Sequence, residues 1–118
     1  MSRVKVENDQ LIITMQGARK FFALKSEVSI QLSSIEGVTT GIKWKDMPKV
    51  LEKRLGTNLP SFYFGGTFSQ DGKKVFYDLK RKEEAVVLTI RDEDFDTLVI
   101  GVEDPEATVA LIEQAISK

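Results

Sequence analysis

Apolar positions recur at every second residue over most of the chain, the spacing of strands that turn one face to a core. Val4 and Val6 alternate with charged neighbours, and Leu11-Ile12-Ile13-Thr14-Met15 follows Asn8-Asp9, a pair that tolerates the left-handed backbone of a tight turn. These runs predict an opening β-hairpin. Val28, Ile30 and Leu32 alternate with Ser29 and Gln31, and Ile35 to Ile42 reads as a further strand bent at Gly37 and Gly41. Phe64 to Phe68 and Val75 to Leu79 flank Asp71-Gly72, the strongest short hairpin signal in the chain. Ala85 to Arg91 and Leu98 to Val102, joined by the acidic turn Asp92 to Asp96, bring the total to seven or eight antiparallel strands.

Two segments carry helical spacing instead. Asp104-Pro105-Glu106 combines a capping carboxylate, a proline at the first helical position and an acid in the first turn. Val109, Ile112 and Ile116, with Thr108 and Ala115 beside them, then form one apolar stripe, so a C-terminal amphipathic helix is predicted. Asp46 to Leu55 reads as a shorter helix, with Met47, Val50, Leu51 and Leu55 on one side and Gly56 past its end. Phe21, Phe22 and Leu24 fit neither period, which leaves Ala18 to Lys25 open between a helical turn and a strand.

The 118 residues make one domain, 1–118, and 42% hydrophobic residues are ordinary for a packed core. The absent residue types change the picture more. Without Cys there is no disulfide, zinc ribbon or thiol nucleophile, and without His there is no Ser-His-Asp triad and no imidazole ligand or base. No cofactor or metal site is expected. The first residues carry charges where a signal peptide needs an apolar run, and no stretch approaches the ~20 apolar residues of a membrane span. The expectation is a cytoplasmic protein.

Seven or eight short strands followed by one amphipathic helix suit a small barrel or sandwich with the helix laid over its open end. Gly17-Ala18-Arg19-Lys20, Ala23-Leu24-Lys25, Gly56-Thr57, Leu59-Pro60, Gly66-Thr67-Phe68, Gly72, Val75-Phe76-Tyr77-Asp78 and Asp104-Pro105 make the chain similar to bacterial proteins of pleckstrin-homology-like fold. The likeness runs over almost the whole chain and rests on small residues and aromatics that shape turns and core. It implies a barrel-like sandwich closed by a C-terminal helix, and it brings no defined activity or functional residue. Eukaryotic relatives of that fold grip phosphoinositides from a long basic loop between their first two strands. Here that connection is only Asn8-Asp9.

Charge is uneven along the chain. Residues 1–59 hold ten basic and six acidic groups, residues 60–118 seven and twelve, although the whole chain is near neutral at −1. Lys43, Lys45, Lys49, Lys53 and Arg54 crowd around the expected short helix, with Lys45, Lys49 and Lys53 spaced by four and so on one helical face. Trp44 stands between two of them, either to stack on a partner or to close the core. Lys43, Trp44, Lys45, Lys49 and Lys53 are the candidate contact for a partner or polyanion. Asp46 and Glu52 interrupt the patch and the chain is slightly acidic, which argues against nucleic acid and allows at most a weak membrane-surface contact.

Asp92, Asp94, Asp96 and Glu103 fall at four ligand positions of an EF-hand loop, but the sixth position is Thr97 and positions seven to eleven read as a strand. Seven extended steps of ~3.3 Å put Glu103 roughly 23 Å from Asp96, too far to share an ion. The reading is a solvated turn. Lys80-Arg81-Lys82-Glu83-Glu84 is expected to be a hairpin loop between two strands, and Gly65-Gly66-Thr67 lacks the lysine of a phosphate loop. Asp78 or Glu103 with Tyr77 or Lys80 are the carboxylate pairings an enzyme would use, and no spacing forces any pair together. The expectation is therefore a non-catalytic binding or scaffolding domain for protein or peptide, with a homo-oligomeric structural protein as the rival.

Overall fold

The computed structural model describes residues 3–14, 27–43, 52–59, 63–70, 72–80 and 83–117. Nine strands and one helix are seen among them: β1 (Arg3–Glu7), β2 (Gln10–Thr14), β3 (Glu27–Gln31), a 3-10 turn (Leu32–Ser34), β4 (Ile35–Lys43), β5 (Glu52–Leu59), β6 (Tyr63–Gln70), β7 (Lys73–Lys80), β8 (Glu84–Ile90), β9 (Thr97–Val102) and α1 (Pro105–Ile116).

Asn8 and Asp9 take φ of 52° and 62°, so β1 and β2 are joined by a two-residue turn and pair from Glu7↔Gln10 to Arg3↔Thr14. β3 adds to β2 to give a three-stranded antiparallel sheet. β6 and β7 pair out to Gln70↔Lys73 around Gly72, whose φ is 78°, as Asp71-Gly72 predicted. β4 slips register between Ile35 and Gly37 and again between Thr40 and Ile42, beside the two glycines expected to bend it.

The second sheet has six strands in the order β4-β8-β9-β7-β6-β5, and it corrects three expectations. Glu52–Leu59 is a strand, so the helix expected over Asp46 to Leu55 does not include its last turn. Pairing with β6, down to Gly56↔Gly66, supplies that segment with backbone partners that a helix would have to find internally. β7 and β9 run parallel, so the strands are not all antiparallel. Finally, β9 lies between β7 and β8, and the chain from Lys80 to Glu84 is a crossover and not a hairpin loop. At that crossover the Glu83 side chain lies over Gly101 of β9: a Cβ at Gly101 would come within 2.8 Å of the Glu83 Cδ. Any larger residue there would have to push the Glu83 carboxylate aside.

The main core lies between the two sheets and beneath the helix. Leu11, Ile13, Val28 and Ile30 of the small sheet meet Phe76, Val86, Leu88, Leu98 and Ile100 of the large one, with fully buried Ile112 of α1 filling the end. The opposite face of the large sheet is apolar too, with Phe68, Val75, Tyr77, Leu79, Ala85 and Val99 buried together. Phe68 and Tyr77 meet edge to face at 5.6 Å between centroids. Helix α1 begins as its sequence predicted: Asp104 accepts a hydrogen bond from the Ala107 N–H at 3.0 Å, with Pro105 in the first turn. The described strands do not close into a barrel; the molecule is a mainly β sandwich of two sheets with one C-terminal helix. No helix among the described residues is long and apolar enough to cross a membrane.

Candidate functional site

Of the basic candidates, the two among the described residues stand on different strands of the large sheet. Lys43 ends β4, paired with Glu84, whereas Lys53 lies on β5, paired with Phe68. β4 and β5 are the opposite edges of the six-stranded sheet, with four strands between them. Lys53 sits on a strand, so the single helical face drawn through Lys45, Lys49 and Lys53 does not reach it. Trp44, Lys45 and Lys49 lie outside the described residues, as do Ala18 to Lys25.

The carboxylates are engaged in building the fold. Asp96 accepts from the Lys74 N–H at 2.9 Å, and Glu93 accepts from the Gln31 N–H at 3.2 Å, tying the β8–β9 loop to the ends of β7 and β3. Arg91 reinforces that loop by donating to the Ser33 carbonyl at 3.2 Å, while Asp92 turns the chain with φ of 58°. β9 runs extended between Asp96 and Glu103, and no group of three or more His, Cys, Asp or Glu among the described residues is placed to hold a metal ion. Tyr77 and Asp78, both buried, are consecutive on β7 and so face opposite sides of the sheet, while Glu103 is exposed. Burial pushes the Tyr77 phenol up from 10.0 to about 12, so it keeps its proton beyond the pH at which a free phenol ionises.

Among the described residues, concave surface is found at the two ends of the first hairpin. Two separate cavities lie there. One of about 700 Å³ is lined by Val6 to Asp9 of the first hairpin, by Gln31 to Ser33 and by Ala115 and Ile116 of α1; the other, about 450 Å³, by Arg3, Val4, Lys5 and Thr14. Val6 is 37% exposed and with Leu111 forms the pair of exposed large apolar side chains among the described residues. In a two-residue hairpin Glu7 and Gln10 exchange the hydrogen bonds nearest the turn, so Lys5 and Arg3 also bond toward β2 and the N–H and C=O groups of Val4 and Val6 point to the outer edge. Among the described residues β1 pairs with β2 alone. Sequence inspection missed this edge because Val4 and Val6 read as ordinary inward residues; the two-residue Asn8-Asp9 loop held the signal that sets which groups face out. Comparison with protein-family models, curated proteins and solved structures finds no match for this chain.

Proposed function

We propose that the chain is a non-catalytic protein-interaction domain of pleckstrin-homology-like design, which takes up an extended segment as an added strand on the edge of β1 that no described strand pairs with. The observation that carries this reading is the outward row of Val4 and Val6 backbone groups on an exposed strand that holds residues of a cavity at each end, Val6 lining one together with the end of α1 and Val4 the other. Main-chain hydrogen bonds would supply affinity and the cavities would select alternate side chains. An enzymatic reading lacks the same support, because Tyr77 and Asp78 face opposite sides of a sheet and neither lines these cavities. A polyanion reading is weakened by the placement of Lys43 and Lys53 on opposite sheet edges.

The test is an amide NMR titration of the labelled protein with hexapeptides selected from a displayed random library. Binding that shifts the amides of Val4, Val6 and Ile116, and that a Val6→Pro variant loses, is the expected result. Selected peptides that shift amides elsewhere and leave β1 unmoved would overturn the reading.

A further inference from the structure

We propose that the strand added to β1 is β1 of a second copy, so that the chain pairs with itself edge to edge. This rests on the strand-addition reading and names its partner. The argument is charge complementarity within Arg3-Val4-Lys5-Val6-Glu7. Turned antiparallel about a two-fold axis at Lys5, the segment sets Val4 against the partner's Val6 and Arg3 against the partner's Glu7. Both ends then hold opposite charges face to face, the favourable arrangement for residues directly across a ladder. The register also matches the backbone. Val4 and Val6 are the residues whose N–H and C=O groups point outward, and each Val4–Val6 pair exchanges both of its hydrogen bonds.

Lys5 meets the partner's Lys5 on the axis, the one like-charged position in this register. Its own Glu7 lies 3.4 Å away on the same exposed face and offsets part of that repulsion. Val6, at 37% exposure, becomes covered by the partner's Val4. The two small sheets join into one continuous sheet, with both α1 helices, each of which touches β1, on the same side. An edge of five residues buries far less than the ~800 Å² per partner of a standard interface, so the pairing is weak and reversible.

Sedimentation velocity from about 5 µM to about 500 µM reads the association directly. The average mass is expected to rise from 13.3 kDa toward twice that value across the series. Val6→Pro removes an outward N–H, a change edge strands tolerate, and is expected to leave a monomer with an unchanged circular dichroism melt. Glu7→Arg should weaken pairing at least about tenfold, Arg3→Glu combined with Glu7→Arg should restore it, and Lys5→Thr should strengthen it, because it alone removes the like-charged contact on the axis. A mass that stays at the monomer value throughout, a dimer indifferent to Val6→Pro, or a double reversal that fails to restore association each overturns the proposal. If the chain stays monomeric while library peptides still shift Val4 and Val6, strand addition stands and self-pairing falls. If neither occurs, both fall.

Discussion

Asp96 and Lys74 hold each other from both sides: the Lys74 N–H donates to the Asp96 carboxylate at 2.9 Å, and the Asp96 N–H donates to the Lys74 carbonyl at 2.9 Å. The clasp lies one residue before Val75↔Thr97, where the parallel pairing of β7 and β9 begins. It therefore fixes the register of the one parallel ladder among the described strands. Asp96→Ala is expected to cost about 1–2 kcal/mol, the range for a hydrogen bond to a charged group at an exposed site, and Asp96→Asn, which keeps one acceptor oxygen, about half of that. Urea denaturation of the two variants beside the parent measures both.

The Tyr77 phenol sets a stability limit at alkaline pH. Its pKa is 10.0 when exposed in the unfolded chain and about 12 in the fold, so the unfolded state loses its proton first. Stability from this group is fully present below pH 10 and drains away between about 10 and 12. The loss should amount to about 1–2 kcal/mol once solvent screening of the phenolate is allowed for. Tyr77→Phe removes this dependence. The difference in unfolding free energy between parent and Tyr77→Phe, flat from pH 7 to 9.5, should therefore move in favour of the variant above pH 10.

Ile112 is completely buried and is the side chain through which α1 enters the main core. Ile112→Ala is expected to cost about 2–5 kcal/mol, since the sheets on either side have little freedom to collapse into the space. Leu111→Ala, on the exposed side of the same helix, should change stability by less than about 0.5 kcal/mol. Thermal melts of the pair separate core burial from helix propensity.

The first turn offers a stabilising change. Asn8 and Asp9 both hold left-handed backbone, and the preferred pair for that turn is Asn-Gly. Asp9→Gly is expected to add about 0.5–1 kcal/mol, because glycine adopts φ near 62° without a Cβ penalty. The Asp9 carbonyl that accepts from the Leu32 N–H survives the substitution. A higher denaturation midpoint in urea, with unchanged slope, checks this.

Where residues act on their immediate neighbours, the sequence was readable. Asn8-Asp9, Asp71-Gly72 and Asp104-Pro105 each determine a few dihedral angles locally, and β1–β2, β6–β7 and the start of α1 follow from them. Glu52–Leu59 was not readable, because Leu51 and Leu55 fit a helical stripe and the competing β6 backbone lies several residues further on. Glu52, Lys53 and Arg54 suit an edge strand, where charge guards against stray pairing, but such residues serve exposed helices as well. The place of β9 between β7 and β8 leaves no local mark beyond Gly101, which lies against the Glu83 side chain. The β1 edge was hidden for a different reason: which backbone groups face outward depends on the parity of the hairpin and not on side-chain character.

The insertion of β9 also orders the events of folding. β8 precedes β9 in the chain, yet among the described strands it joins β7 in the sheet only through β9, so the β4–β8 pair and the β5–β6–β7 meander start as two separate pieces with raw facing edges. Residues 97–102 arrive late and join both pieces at once. A chain stalled before Thr97 therefore presents two unfinished edges lined with Val75, Phe76, Val86 and Leu88, the kind of surface that aggregates or engages chaperones. Completion waits on long-range contacts, which slows folding and leaves both edges vulnerable until β9 is in place.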